Sequence, residues 1–117
     1  MTNHNYKDLS WTDDANCIKP GAAHPDTWYP PRDKDRYKPI ADEAKKHCFG
    51  GDGWSACSVR HMCLWQAIDT DEQHGIWGGL SHRERNAMVR KWQKMYRHQM
   101  TLQEYVFQHK EKENGNS

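Results

Sequence analysis

A chain of 117 residues and 13.8 kDa has room for one domain, and its 13 Leu, Ile, Val and Phe residues are too few to close a core by aliphatic burial alone. A net charge of +1 excludes the self-repulsion that keeps hydrophobe-poor chains unfolded, and no apolar run reaches the length of a membrane span. Six tryptophans and four cysteines are the visible supplements, so the composition predicts a small domain held by staples.

The opening "MTNHNYKDLSW" lacks the charged start and apolar stretch of a secretory signal. A cytoplasmic chain is therefore expected, in which cysteines serve more readily as metal ligands than as disulfides. Residues 1–39 read as an aromatic-rich arm, because "HPDTWYPPRDKDRYKP" is full of prolines that resist helix. Cys17 lies alone in that arm, so folding has to carry it to the other three.

Residues 40–80 read as the central unit. Pro39 suits a helix start, and "IADEAKKHC" puts Ile40, Ala41, Ala44 and Cys48 on one face, with acids early and lysines late. The segment "FGGDGW" breaks that helix. Ser58 is the expected cap of a second one, "VRHMCLWQAID", whose Val59, Cys63 and Ala67 recur every four residues. A turn follows through "TDEQHGIWGGL", where Gly75, Gly78 and Gly79 permit unusual backbone angles.

Residues 81–117 read as a basic helical region. Ser81 with Glu84 has the spacing of a capping box and opens a helix carrying Ala87, Met88, Trp92 and Met95 on one stripe. Thr101 with Glu104 repeats the pattern, so the helix is expected to break near Met100 and restart as "LQEYVFQHKEKE" before a frayed "NGNS". No internal repeat and no strand pattern is present.

Four thiolates suit an iron–sulfur cluster or a structural zinc. Zinc sites favour two close pairs, whereas here 30, eight and five residues separate successive cysteines, which argues mildly against zinc and leaves both open. His47 and His61 flank the cysteines and are expected to face solvent, since four sulfurs already complete a site.

The lone cysteine in an aromatic arm, followed by "AKKHC", "CSVRHMCLWQAI" and "HGIWGGLSHRER", resembles the WhiB-like family of actinobacteria and their phages over roughly residues 10–90. The resemblance implies a small all-α fold of short helices around a 4Fe-4S cluster held by Cys17, Cys48, Cys57 and Cys63. It implies a non-enzymatic transcription factor, with neither small-molecule substrate nor membrane, that binds region 4 of the primary sigma factor of RNA polymerase. Trp77 would be the anchor of that contact, joined by Trp11, Trp28 and Tyr29 in one aromatic patch. Oxidation or nitrosylation would dismantle the cluster and release the partner. Relatives usually hold their second and third cysteines as CxxC, whereas eight residues intervene here, a length that can fold back without strain. The absent CxxC pair disfavours thiol–disulfide exchange.

Between Ser81 and His98 six Lys or Arg residues face one Glu, a balance of +5. Arg90, Lys91, Lys94 and Arg97 are the candidates to neutralise promoter-DNA phosphates, while Arg83 and Arg85 belong to the "SHRER" block and are structural or partner-directed. A solvated basic helix is the plainer alternative for the whole segment, and the dense basic tail or Gly-Arg hook of many relatives is missing. A zinc-stabilised interaction module without redox role is the competing function.

Overall fold

The computed structural model describes residues 9–110. The anticipated fraying of "NGNS" and the last three residues expected in the restarted helix, 111–113, lie outside them. Three short 3-10 turns, Leu9–Asp14, Asn16–Ile18 and Pro25–Trp28, form the arm. Four helices follow: α1 (Lys34–Phe49), α2 (Arg60–Asp69), α3 (His82–Met95) and α4 (Leu102–Phe107). Among the described residues extended pairing is limited to two isolated bridges, Gly51 with Trp54 and Trp77 with Leu80. No described helix is long and apolar enough to cross a membrane.

Helix α1 begins five residues before the expected start at Pro39. Asp33 caps it, accepting from the Asp35 N–H at 3.0 Å and from Arg36 Nε at 2.8 Å, and these bonds hold its carboxyl below the usual range. Pro39 therefore sits inside the helix and forgoes one main-chain bond. The loss is offset by the cap and by Tyr37, which packs on the cluster of Trp28, Ala41, Ala44 and Ile76. Helix α2 also departs from expectation, with Val59 rather than Ser58 as its cap and no side-chain bond there. A main-chain turn does the work instead, the Arg60 N–H donating to the Cys57 carbonyl at 3.2 Å.

Both capping boxes form as the spacing predicts, Ser81 with Glu84 and Thr101 with Glu104. Helix α3 ends at Met95, earlier than expected, and Trp92 Nε1 ties the following turn by donating to the Met100 carbonyl at 2.9 Å. Helix α4 is only six residues long, so the C-terminal helical region is shorter than anticipated. It contributes Val106 to a second buried cluster with Leu64, Leu80 and Met88. Lys45 of α1 reaches Glu84 of α3 with 2.8 and 2.9 Å contacts, a half-buried pair bracing the two helices.

His47 contradicts the expectation that it faces solvent. It is 2% exposed, with its ring centroid 5.0 Å from Trp28 and 4.7 Å from Trp54. The Ala23 N–H donates to its Nε2 at 3.3 Å, so Nδ1 carries the proton given to the Glu43 carbonyl at 3.0 Å. His61 is half-buried, and His109, just beyond α4, is buried.

His109 stands against Arg60, whose Nη1 lies 3.3 Å from its Nδ1 and whose Nη2 donates to its carbonyl at 2.6 Å. Burial, with Arg60 and then His61 adding charge repulsion against a weaker opposing pull from Glu84, pushes the His109 imidazole down to about 4 from 6.5. The unfolded chain therefore takes up this proton at a higher pH than the folded one. Stability is full above about pH 6.5 and is lost as pH falls from there toward about 4. Urea midpoints followed across that window should decline less steeply for His109→Gln than for the wild type; parallel profiles would refute the assignment.

Candidate metal centre

Each cysteine reaches the centre by a different local device. Cys48 is the penultimate residue of α1, and Cys63 lies in the first turns of α2. Cys57 ends the eight-residue loop 49–56, and Cys17 sits in the 3-10 turn Asn16–Ile18.

The loop closes through its main chain. Residues Gly50, Gly51, Asp52 and Gly53 all have positive φ, at 100°, 144°, 50° and 90°. Gly51 and Trp54 exchange two 2.9 Å hydrogen bonds, and the Cys57 N–H returns to the Cys48 carbonyl at 3.0 Å. A side chain at Gly50 would stand 3.1 Å from the Ala56 nitrogen and 3.2 Å from the Trp54 oxygen, so only glycine lets the two limbs pass. Lys46 Nζ meets Asp52 Oδ2 at 2.6 Å on the outside, and Trp54 covers His47 on the inside.

Cys17, Cys48, Cys57 and Cys63 all line one mainly apolar cavity of about 300 Å³. Among the described residues no three His, Cys, Asp or Glu side chains close on a point as a single ion requires. Burial first, then repulsion from the neighbouring thiolates, pushes Cys48 up to about 12 and raises Cys63 and Cys17 as well. A cationic group among them would relieve both effects, and soft thiolates suit zinc and iron–sulfur clusters alike.

The Asn16 N–H lies 3.5 Å from Cys57 Sγ. The Trp28 side chain and the Gly78 main chain lower the Cys48 and Cys63 thiols against the rise from burial, and the Cys17 main chain does the same for its own thiol. Donors of this kind stabilise electron-rich thiolates and orient them toward a metal.

The turn between Gly75 and Leu80 forms the outer wall. Trp77 exchanges main-chain bonds with Leu80 at 3.0 and 3.1 Å, its indole donates to the His74 carbonyl at 2.9 Å, and its ring lines the cavity. Gly78, with φ of 58°, rests so closely on α2 that a side chain there would stand 2.6 Å from the Arg60 oxygen and from Leu64 Cβ. Two buried arginines hold the turn. Arg60 Nη1 donates to Gly78 at 3.0 Å, while Arg85 donates to the carbonyls of Gly75 at 3.1 Å, Leu80 at 2.7 Å and Glu72 at 2.7 Å. Arg85 is thereby withdrawn from the group of cations available to a partner.

Of the four aromatics expected in one patch, Trp11 and Trp77 are half-buried and Tyr29 is 55% exposed, and all three line the cavity. Trp28 lines it too but is only 8% exposed, so it belongs to the core and to Cys48 rather than to the surface. Arg90, Lys91, Lys94 and Arg97 are exposed, the first three on α3 and Arg97 just beyond it, and none lines the cavity.

Sequence reasoning missed Asn16, His47 and Arg60 as parts of the site. A signal existed for the arginines: a glycine-rich turn leaves carbonyls without helix or sheet partners, and buried carbonyls require donors.

The family model described as "Transcription factor WhiB" matches residues 11–88. The transcriptional regulator WhiB2 of Mycobacterium tuberculosis is 40% identical over 80 residues, covering 68% of this chain and 74% of the relative. The transcriptional regulator WhiB of Streptomyces coelicolor is 37% identical over 82 residues, with 70% and 78% covered. WhiB2 of Bifidobacterium longum is 36% identical over 84 residues, with 72% and 71% covered.

Proposed function

Because the chain belongs to the WhiB family of transcriptional regulators, we propose that Cys17, Cys48, Cys57 and Cys63 hold a 4Fe-4S cluster and that the aromatic rim around it binds region 4 of the primary sigma factor. The observation that carries this reading is that Cys17, Cys48, Cys57 and Cys63 all line one mainly apolar cavity, with the Asn16 N–H on the Cys57 sulfur. When bound, the cluster supplies a redox-sensitive cross-link of the arm, α1, the loop and α2. In a chain so poor in aliphatics its binding energy is folding energy.

The protein's own residues set the rest. Trp77 is presented by a turn that Arg60 and Arg85 fix from beneath, with Trp11 and Tyr29 beside it. Aromatic anchors on a rigid support are the groups that dominate interfaces. Loss of the cluster to oxidant or nitric oxide would free the four segments and with them the rim. Arg90, Lys91, Lys94 and Arg97 lie exposed along α3 and its end, where they can neutralise promoter phosphates beside the bound sigma factor. The protein would act in the cytoplasm, as a regulator and not as an enzyme.

Protein purified without oxygen should be brown, with about four irons and matching sulfide per chain, and Cys57→Ala should lose both; a colourless protein with one zinc would establish the interaction-module alternative. Trp77→Ala should weaken co-purification of sigma region 4 by about thirty-fold or more while the visible spectrum persists, and undiminished capture would remove Trp77 from the interface. Neutralising Lys91, Lys94 and Arg97 together should weaken promoter binding and reduce its salt dependence by roughly 0.9 logarithmic units per lost contact; an unchanged gel shift would exclude the DNA role.

A further inference from the structure

Asn16 precedes the first proposed ligand, and although polar it is only 4% exposed. Its side-chain Nδ2 donates to the His47 carbonyl at 2.8 Å and to the Ser55 carbonyl at 2.9 Å, which uses both hydrogens of the amide. Its main-chain N–H points to Cys57 Sγ at 3.5 Å. One residue is thus bound to the arm that carries Cys17, to the helix end that carries Cys48, and to the loop and sulfur of Cys57.

An eight-residue loop between two ligands can close in many ways, and each must be selected against by something outside the loop. A two-residue spacing needs no such selection, because the chain itself limits where the second sulfur can go. Within loop 49–56 the internal bonds fix its tip, between Gly51 and Trp54, while its returning limb is tied to the arm at Ser55.

We propose that Asn16 is the positioning residue that sets the register of this loop, doing through space what a short C-x-x-C spacing does through the chain. The inference rests on the cluster reading above. The amide adds a second tie, from the arm, between two limbs that the Cys57 N–H joins at their base by donating to the Cys48 carbonyl, and by fixing its own backbone it keeps a hydrogen bond on the Cys57 sulfur. Replacing it leaves two carbonyls short of their donor and lets Cys57 drift from its neighbours.

The test compares Asn16→Ala in the full chain with Asn16→Ala in a chain lacking residues 50–55, in which Phe49 and Ala56 alone separate Cys48 from Cys57. In the full chain the variant should lose its visible absorption to air or chelator about ten-fold faster than the wild type, as expected for one buried donor lost from two carbonyls. Its iron–sulfur stretching bands in resonance Raman spectra should shift, which general loosening of the fold would not cause. In the shortened chain the same substitution should change the rate by less than about two-fold. A full-length variant that fails to accumulate, but accumulates once the loop is shortened, supports the same role. Unchanged rate and bands in a brown full-length variant, or an equal effect or equal failure in both lengths, would overturn the role of Asn16 alone. A colourless wild type would overturn the cluster reading and this inference with it.

Discussion

Two guanidinium groups carry the mechanical load that a larger protein would assign to a hydrophobic core. Arg60 and Arg85 are 6% and 2% exposed, and their N–H groups end on main-chain carbonyls of the Gly75–Leu80 turn, of Glu72 and of His109. Each bond from a charged donor is worth about 1.5–3 kcal/mol, more than an ordinary one. The planar fork of arginine serves several acceptors at once, which a lysine could not. Arg60 also lies over the Phe49 ring at 4.6 Å, which adds a cation–π contact to its hydrogen bonds. Everything else in the site, from the Gly78 main chain beside Cys63 to the place of Trp77, depends on the turn being held there.

The cysteine centre follows the same economy. An apolar cavity ringed by thiols is unfavourable by itself, since burial and mutual repulsion oppose ionisation. The Asn16 N–H on the Cys57 sulfur softens that penalty without removing it. The chain has therefore placed its most strained electrostatics where an added cationic group stabilises it most, and the two apolar clusters on either side need be no bigger than four buried residues each.

What was legible in the sequence was what depends on near neighbours. The capping boxes at Ser81 and Thr101 form because both partners lie within one turn, and the four cysteines stand out by count and spacing. What was hidden depends on contacts across tens of residues. Pro39 marks a helix start only when nothing earlier can cap, and Asp33 does so here with Tyr37 burying against the arm. His47 and Trp28 look like surface groups on their own segments, yet each finds the other, and Trp28 finds Cys48. Asn16 carries no local pattern at all, because its partners are 31 and 39 residues away.

The bond from Arg60 to the carbonyl of His109 spans 49 residues, so the middle of the chain is completed by a group made much later. During synthesis α1, the loop and α2 emerge first, and the turn that presents Trp77 follows, but Arg60 lacks its C-terminal acceptor until residue 109 has left the ribosome. The support beneath the Trp77 turn is thus completed only after residue 109 has been made, well after all four cysteines.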